Sequence, residues 1–253
     1  MRKHFCPKTA FAGILVCFSL SVLVSAQGDE SRKKTESSKK KTEDKTDEKK
    51  KKPFAHVVRK VFFAGFAGDD KALKKGMTIC EETLAKNPKH AEALAWRGAG
   101  RLFLSGKSFQ SGDVDAGMIK WESGIKDLDK AKELEPDNIA VLIPRAASLM
   151  GAGRNAPPKF GKPLLKRVKA DFEYTYKKQK DYLDQLGEHP LGELRMGLAD
   201  VYRLLGETDK SKEQLLAVQK DLPDTKYAKR ATEWLAAPAD KKLAHNCIGC
   251  HME

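Results

Sequence analysis

The stretch "GELRMGLADVYRLLGETDKSKEQLLAVQKDLPD", residues 192–224, predicts two helices joined by a tight turn. Ala199 is small enough to let two helices approach closely, and Tyr202 lies one turn further along and fills the adjacent gap. Gly206 ends the first helix because glycine adopts backbone angles that its neighbours avoid. Pro223 stops the second helix because proline cannot donate the next backbone hydrogen bond. The stretch therefore predicts a helical hairpin.

Two earlier stretches follow the same plan: "NPKHAEALAWRGAGRLFLSG", residues 87–106, and "EPDNIAVLIPRAASLMGAG", residues 135–153. Each has a proline, a short polar turn, an apolar helix and a glycine stop. The spacing resembles the tetratricopeptide repeat (TPR), a 34-residue helical pair. The positions that carry this resemblance lie at offsets 0, 3, 7, 16 and 24: Ala199, Tyr202, Gly206, Leu215 and Pro223. It implies an all-α, TPR-like solenoid of three to four degenerate hairpins over residues 54–238, with a capping helix at 225–236.

Three irregular stretches interrupt the repeat. A polar insertion, residues 105–117, is expected between two helices of one hairpin, and Pro144 is expected to interrupt a helix. A Pro/Gly-rich loop is expected at 151–161, followed by an overlong helix within 162–187. No sustained apolar/polar alternation predicts a strand.

Several side chains have an expected place in this architecture. Arg97 and Arg101 lie four residues apart on one helix face, where they could bind a partner's carboxylate or form surface ion pairs. Cys80 lies in an apolar helix and is expected to be a small buried hydrophobe. The aromatic residues expected in the core are Phe62, Phe63, Phe66, Trp96, Phe103, Trp121 and Trp234.

The N-terminus has the parts of a secretory signal over residues 1–26. Positive residues precede an apolar run at 11–24, and residues 24–26 match the small-residue cleavage pattern, which leaves Gln27 first. A retained membrane anchor is the alternative. The signal predicts a secreted, periplasmic protein, and membrane contact is expected only if the signal is retained.

Residues 27–53 form a charged linker that lacks Leu, Ile, Val, Phe and Trp. It cannot bury enough apolar area to offset its ordering entropy, so we expect disorder. Eleven Lys and Arg face seven Asp and Glu, which permits contact with an anionic surface, although a solvated spacer is the plainer interpretation. An exported protein is not expected to bind nucleic acid.

The tail, residues 239–253, contains Cys247-x-x-Cys250-His251, which resembles the haem-attachment motif of c-type cytochromes. Two thiols three residues apart on one helical turn face the same porphyrin edge and can form thioethers with its vinyl groups. His251 then lies under the ring as the proximal iron ligand, and the candidates for the distal ligand are His245, His189, a methionine, water or a partner's residue. The motif predicts covalent haem c as the cofactor.

A disulfide or a redox-active dithiol of Cys247 and Cys250 is one alternative, and a zinc site that also recruits His245 and His251 is another. Cys80 makes three cysteines after export, and an odd number argues against a general disulfide framework. Only two residues follow the motif, so the helical domain or a partner must cover the haem. A mono-haem cytochrome c fold is therefore not expected.

Enzyme motifs such as a P-loop or a nucleophile elbow do not occur in the sequence, so we expect an electron-transfer or binding protein, although an enzyme is not excluded. The TPR resemblance implies a groove that holds a redox partner or a peptide segment of another protein. The expected function is a periplasmic scaffold that carries haem c and transfers electrons. The alternative is a cofactor-free interaction adaptor with a structural or redox-active cysteine pair.

Overall fold

The computed structural model describes residues 53–238, which form an all-α array. Within this range there are nine α-helices, one short 3-10 helix at Lys180–Gln185 and no strand. The helices are α1 (Phe54–Phe66), α2 (Asp70–Lys86), α3 (Ala91–Gln110), α4 (Val114–Leu134), α5 (Ile139–Asn155), α6 (Pro158–Gln179), α7 (Glu188–Leu204), α8 (Thr208–Asp221) and α9 (Lys226–Ala236). The predicted signal, nearly all of the predicted linker and the predicted tail lie outside the described range.

The helices pair into four consecutive hairpins: α1–α2, α3–α4, α5–α6 and α7–α8. In the last three hairpins the two helices pack more extensively against each other than against the elements that follow, whereas α1 and α2 pack about equally against each other and against α3. Successive hairpins meet mainly through α2 and α3, α3 and α5, and α6 and α7, and α9 packs on α8 as the expected capping helix. The prediction of an all-α array of helical hairpins is confirmed. A search of the described helices found none long and apolar enough to cross a membrane.

The α7–α8 hairpin follows the sequence prediction closely. Gly206 has φ +81°, which a residue with a side chain rarely adopts, and α7 ends two residues before it. Ala199 is fully buried, and its carbonyl accepts a hydrogen bond of 2.7 Å from the Ser211 hydroxyl on α8. Tyr202 is buried against α6, beside Phe172. The small residue therefore permits the close contact, and the aromatic residue fills the space beside it.

Residues 105–117, the expected polar insertion, do not form an irregular loop. They lengthen two helices instead. α3 continues through Gly106 to Gln110, and α4 starts only four residues later. Phe109 lies edge-on to Trp121, with ring centroids 6.4 Å apart. A Cβ added at Gly117 would be 2.3 Å from the Phe109 ring, so the ring fits only because Gly117 has no side chain. This apolar contact ties the extended helix ends together.

Two further expectations about proline and glycine are also wrong. Pro144 lies inside α5 and is buried, so the helix continues past it. It stands near the start of α5, where its missing N–H removes a single early hydrogen bond. The expected loop at 151–161 is reduced to residues 156–157. Gly153 and Gly161 let α5 and α6 touch there, since a Cβ at Gly161 would lie 2.3 Å from the Gly153 carbonyl oxygen.

The predicted core residues are confirmed. Phe62, Trp96 and Trp234 are buried, and the other four predicted aromatics are partly buried against the core clusters. Cys80 is fully buried beside Phe62, and burial raises the pKa of its thiol to about 12. Cys80 therefore behaves as a hydrophobe.

Candidate functional site

The predicted haem residues, Cys247, Cys250, His251 and His245, lie outside the described part of the chain. Over residues 53–238, no group of three or more His, Cys, Asp or Glu side chains could hold a metal ion. The haem-site predictions therefore stay predictions, and the described residues bear on the place from which the tail leaves the array.

That place is fixed by a side-chain contact between α7 and the residues after α9. The Arg203 guanidinium donates a hydrogen bond through Nη2 to the Pro238 carbonyl oxygen. Trp234, one turn earlier on α9, is buried in the cluster that α7, α8 and α9 share. The tail therefore leaves the domain beside the C-terminal end of α7.

Two histidines of the array, His90 and His189, have a local role. His90 caps the N-terminus of α3, where its Nδ1 accepts a bond of 3.3 Å from the Ala93 N–H. His189, near the start of α7, has its Nδ1 2.8 Å from the Tyr227 hydroxyl on α9. His189 stands 14 residues before Arg203 on the same helix, which is roughly 21 Å at 1.5 Å per residue. It is therefore remote from the tail exit.

Arg97 and Arg101 bind a carboxylate of the chain itself. Arg97 donates two bonds of 2.8 Å to Asp127 on α4, and Arg101 donates one of 2.7 Å to the same carboxylate. The Asp127 side chain is only 8% exposed. Hydrogen bonding to Asp127 raises the pKa of Arg97 above its usual value. Of the two alternatives for Arg97 and Arg101, the ion pair is present, and its aspartate lies within the same hairpin and is largely buried.

The Arg97–Asp127 pair recurs in the next two hairpins at equivalent places. Arg145 on α5 donates to Asp171 on α6, and Arg195 on α7 donates to Asp221 on α8, the latter at 2.7 Å. Counted from the helix starts, each arginine is the seventh or eighth residue. Each aspartate is the fourteenth residue of its helix. The pair is therefore a repeated feature that locks the two helices of a hairpin.

Sequence reasoning missed these pairs, although a signal was present. Arg97 and Arg145 each stand nine residues after the proline that opens their stretch, Pro88 or Pro136. Aligning the stretches on these prolines would have placed the arginines in register. A single charged residue in an otherwise apolar helix does not by itself indicate a counterpart at the equivalent position of another hairpin.

Other ion pairs join one hairpin to the next. Lys132 on α4 donates a bond of 2.5 Å to Asp171, so this aspartate links α4, α5 and α6. Arg154 on α5 donates to Asp200 on α7, and Lys169 on α6 donates a bond of 2.6 Å to Glu207 before α8. Buried charges are stable only when they are paired, so these links hold the hairpins in one relative position.

Two open grooves lie on the surface of the array. One follows α4 and is lined by Trp121, Ile125 and a row of charged residues that includes Lys126 and Glu133. The other lies between α6 and the α7–α8 turn and is lined by Lys166, Lys169, Ala170, Glu173, Leu205 and Glu207. The second groove lies on the same end of α7 as the tail exit.

Two groups at the second groove have shifted pKa values. Hydrogen bonds from Lys169 and Lys210 lower the pKa of Glu207. Burial and a 3.0 Å hydrogen bond to Glu173 raise the pKa of the Tyr202 hydroxyl, which lies beside this groove. A general acid or base needs a pKa near the working pH, so these two groups do not fit that role.

Comparison of the chain with protein-family models, with curated proteins and with solved structures found no match.

Proposed function

We propose that this protein is an exported helical-hairpin scaffold that carries one covalent haem c near its C-terminus and serves electron transfer or the docking of a redox partner. The observation that carries the proposal is the Cys247-x-x-Cys250-His251 motif. The sequence character of residues 1–26 supports it, because haem c is attached outside the cytoplasm.

In this proposal each residue of the motif has one task. Cys247 and Cys250 hold the haem by thioether bonds, and His251 binds its iron. When bound, the haem supplies an iron centre that accepts and releases one electron. The tail supplies the two thiols and the imidazole, and the helical array supplies the rigid body to which the tail is attached.

The described residues support a tethered arrangement. Arg203 and α9 set the exit of the tail at one end of the array. Nine residues, 239–247, connect this exit to the first thiol, and an extended chain of that length spans at most roughly 32 Å. We therefore expect the haem to lie within that distance of the C-terminal end of α7. The second groove is within that reach.

The test is covalent haem attachment. The full chain is made in a bacterial host with an active haem-attachment system and analysed by mass spectrometry and by haem staining after denaturing electrophoresis. We expect the mass of the processed polypeptide plus one haem, and a red protein. Cys247→Ser combined with Cys250→Ser should abolish the haem and leave the helical circular dichroism unchanged.

Cys80→Ala is the matched control, because it also removes a cysteine but one that is buried in the core. It should keep the haem. Bare polypeptide mass in the unmodified chain would overturn the haem proposal.

The alternative function is a cofactor-free interaction adaptor with a structural or redox-active Cys247/Cys250 pair. One observation favours it: the extended end of the α3–α4 hairpin exposes apolar side chains. Val114 is 58% exposed and Ile119 is 69% exposed. Exposed apolar side chains in a cluster are typical of protein contacts. Bare mass together with capture of a peptide or protein partner would support this adaptor.

A further inference from the structure

A histidine near the start of α7 has one ring nitrogen without a partner in the described part of the chain. His189 is the second residue of α7, and its Nδ1 lies 2.8 Å from the Tyr227 hydroxyl on α9. Tyr227 is only 2% exposed, so the core holds this hydroxyl in place. Within residues 53–238 the other ring nitrogen, Nε2, has no hydrogen bond or ion pair. The half-buried ring is therefore oriented through Nδ1, and its Nε2 is left for a ligand.

The direction of the hydrogen bonds around Tyr227 shows which nitrogen of His189 carries the hydrogen. The Tyr227 hydroxyl has one hydrogen, and it donates this hydrogen to Glu193 Oε1 over 2.9 Å. A carboxylate has no hydrogen to give, so this bond cannot run the other way. The contact with His189 must then be its Nδ1–H donating to the hydroxyl oxygen. In the neutral imidazole the lone pair therefore lies on Nε2.

Metal-binding histidines share this arrangement. Such a histidine donates one ring N–H to a protein oxygen, which fixes the ring, and binds the metal through the other nitrogen. A neutral imidazole nitrogen is also an axial ligand of haem iron in proteins. We propose that His189, through Nε2, is the distal ligand of the haem iron, opposite His251. This inference rests on the proposed function, because it requires haem on the tail.

The other described histidines lack this arrangement. His90 Nδ1 accepts a hydrogen bond from the Ala93 N–H, so the hydrogen of its neutral ring lies on Nε2, which then has no lone pair for a metal. His56 on α1 is exposed, and no side-chain hydrogen bond within residues 53–238 fixes its ring. Of these three histidines, His189 is the one held with Nε2 ready to bind.

The methionines of the array fit the role less well. Met150 and Met196 are 2% and 3% exposed, so their sulfur atoms are closed off by the core. Met77 packs into the cluster that α1, α2 and α3 share. Met118 is 39% exposed, but it lies on α4 in the second hairpin, whereas the tail leaves beside the fourth.

The tail is long enough to bring the motif to His189. Tyr227, near the start of α9, contacts His189 near the start of α7. Pro238, just after α9, contacts Arg203 near the end of α7. The two helices therefore run in the same direction, and the tail must return by roughly 21 Å along α7. Residues 239–247 span at most roughly 32 Å, which leaves about 10 Å to spare.

The test uses the full chain with its haem attached and measures the spin state of the ferric iron. Two imidazole ligands give low-spin iron, which absorption and electron paramagnetic resonance spectra distinguish from high-spin iron with a weak or missing sixth ligand. We expect low-spin iron in the unmodified chain and high-spin iron in His189→Ala, with equal haem content by mass spectrometry. Added imidazole should restore the low-spin spectrum of this variant. Its half-saturating concentration should be at least about tenfold below that for the unmodified chain, where imidazole competes with a tethered ligand.

His90→Ala is the matched control, because it also removes a histidine of the array but one whose Nε2 carries the hydrogen. It should leave the iron low-spin. Tyr227→Phe keeps the aromatic ring and removes the oxygen that orients His189, so we expect a mixture of low-spin and high-spin iron. Circular dichroism at 222 nm checks that each variant keeps its helices.

The outcomes separate this inference from the proposed function. High-spin iron in the unmodified chain, or low-spin iron in His189→Ala, would overturn the assignment of His189 while the haem proposal stands. If His245→Ala is high-spin and His189→Ala is not, the distal ligand is His245. Bare polypeptide mass in the unmodified chain would overturn both.

Discussion

Replacing Asp171 by Ala should be strongly destabilising, because this carboxylate joins three helices. Its side chain has no exposed surface, and it accepts hydrogen bonds from Lys132 on α4 and Arg145 on α5. The Arg145 side chain is itself only 5% exposed. Removing the aspartate leaves that guanidinium buried without this partner.

The size of the effect follows from the bonds that are lost. A hydrogen bond to a charged group contributes about 1.5–3 kcal/mol, so two of them give about 3–6 kcal/mol. Breaking a buried ion pair by removing one partner costs about 3–5 kcal/mol, which agrees. We expect Asp171→Ala to lower the free energy of unfolding by about 4–5 kcal/mol. Asp171→Asn keeps one carbonyl acceptor and should cost about 3 kcal/mol.

Urea denaturation followed by circular dichroism at 222 nm measures this loss. Glu133→Gln is the control, because Glu133 binds Lys130 on the surface with its side chain 69% exposed. An exposed pair of this kind contributes about 0–1 kcal/mol. If Asp171→Ala costs less than 1 kcal/mol with an unchanged urea dependence, the buried network does not hold the hairpins together. A double-mutant cycle of Arg145→Met with Asp171→Leu should give a coupling energy above about 1 kcal/mol, as for groups in direct contact.

Four further outcomes are expected. A Cβ at Gly98 would lie 2.8 Å from the Gly124 carbonyl oxygen on α4, so Gly98→Ala should cost about 1–3 kcal/mol by forcing α3 and α4 apart. Gly106→Ala, in the same helix with nothing within 4 Å, should instead raise the free energy of unfolding by up to about 1 kcal/mol in the same urea titration. Cys80, with its thiol pKa of about 12, should resist a thiol reagent at pH 8 until urea unfolds the chain, as followed by peptide mass spectrometry. Because the pKa of Glu207 is lower in the folded state, this carboxylate stabilises the fold above the usual Glu pKa of about 4.3, and the stabilisation is lost as pH falls through the folded pKa. Glu207→Gln should therefore make the free energy of unfolding depend less steeply on pH in the acid range. An unchanged dependence would contradict this.

The α7–α8 hairpin could be predicted from its sequence because each of its key residues acts locally. Gly206 needs a backbone angle that only its own residue type adopts easily, and Ala199 needs only to be small. Thr225 acts equally locally, since it caps α9 through a bond of 3.2 Å from the Ala228 N–H. Such signals lie within a few residues of the element that they define.

Other features depend on distant partners, and the sequence does not show them. Gly106 resembles a helix stop, yet contacts between Phe109, Gly117 and Trp121 favour a longer helix. Pro144 resembles a break, but burial of the surrounding helix outweighs one lost hydrogen bond. Tertiary packing overrode the local preference in both places.

The same distinction between local signals and contacts with distant partners applies to the candidate site. The Cys-x-x-Cys-His spacing is a local chemical signature and could be recognised at once. The buried Arg–Asp pairs emerge only when helices are placed side by side, because a charge in sequence does not reveal whether it is buried, paired or exposed. For Arg97 the sequence left two alternatives, a partner's carboxylate or a surface ion pair, and its actual partner, Asp127 on α4, is a largely buried residue of the chain itself.

The closer packing within the last three hairpins than between hairpins has a mechanical consequence. Under tension applied along the chain, such a hairpin should separate from its neighbour before its own two helices part, because its internal contacts are denser. Pulling should therefore give a series of discrete rupture events and no single collapse, as in a one-dimensional stack of weakly coupled units. Each hairpin, of 33 to 44 residues, would lengthen the chain by roughly 110–150 Å when it unravels. The array would then act as an extensible spacer whose length changes in steps.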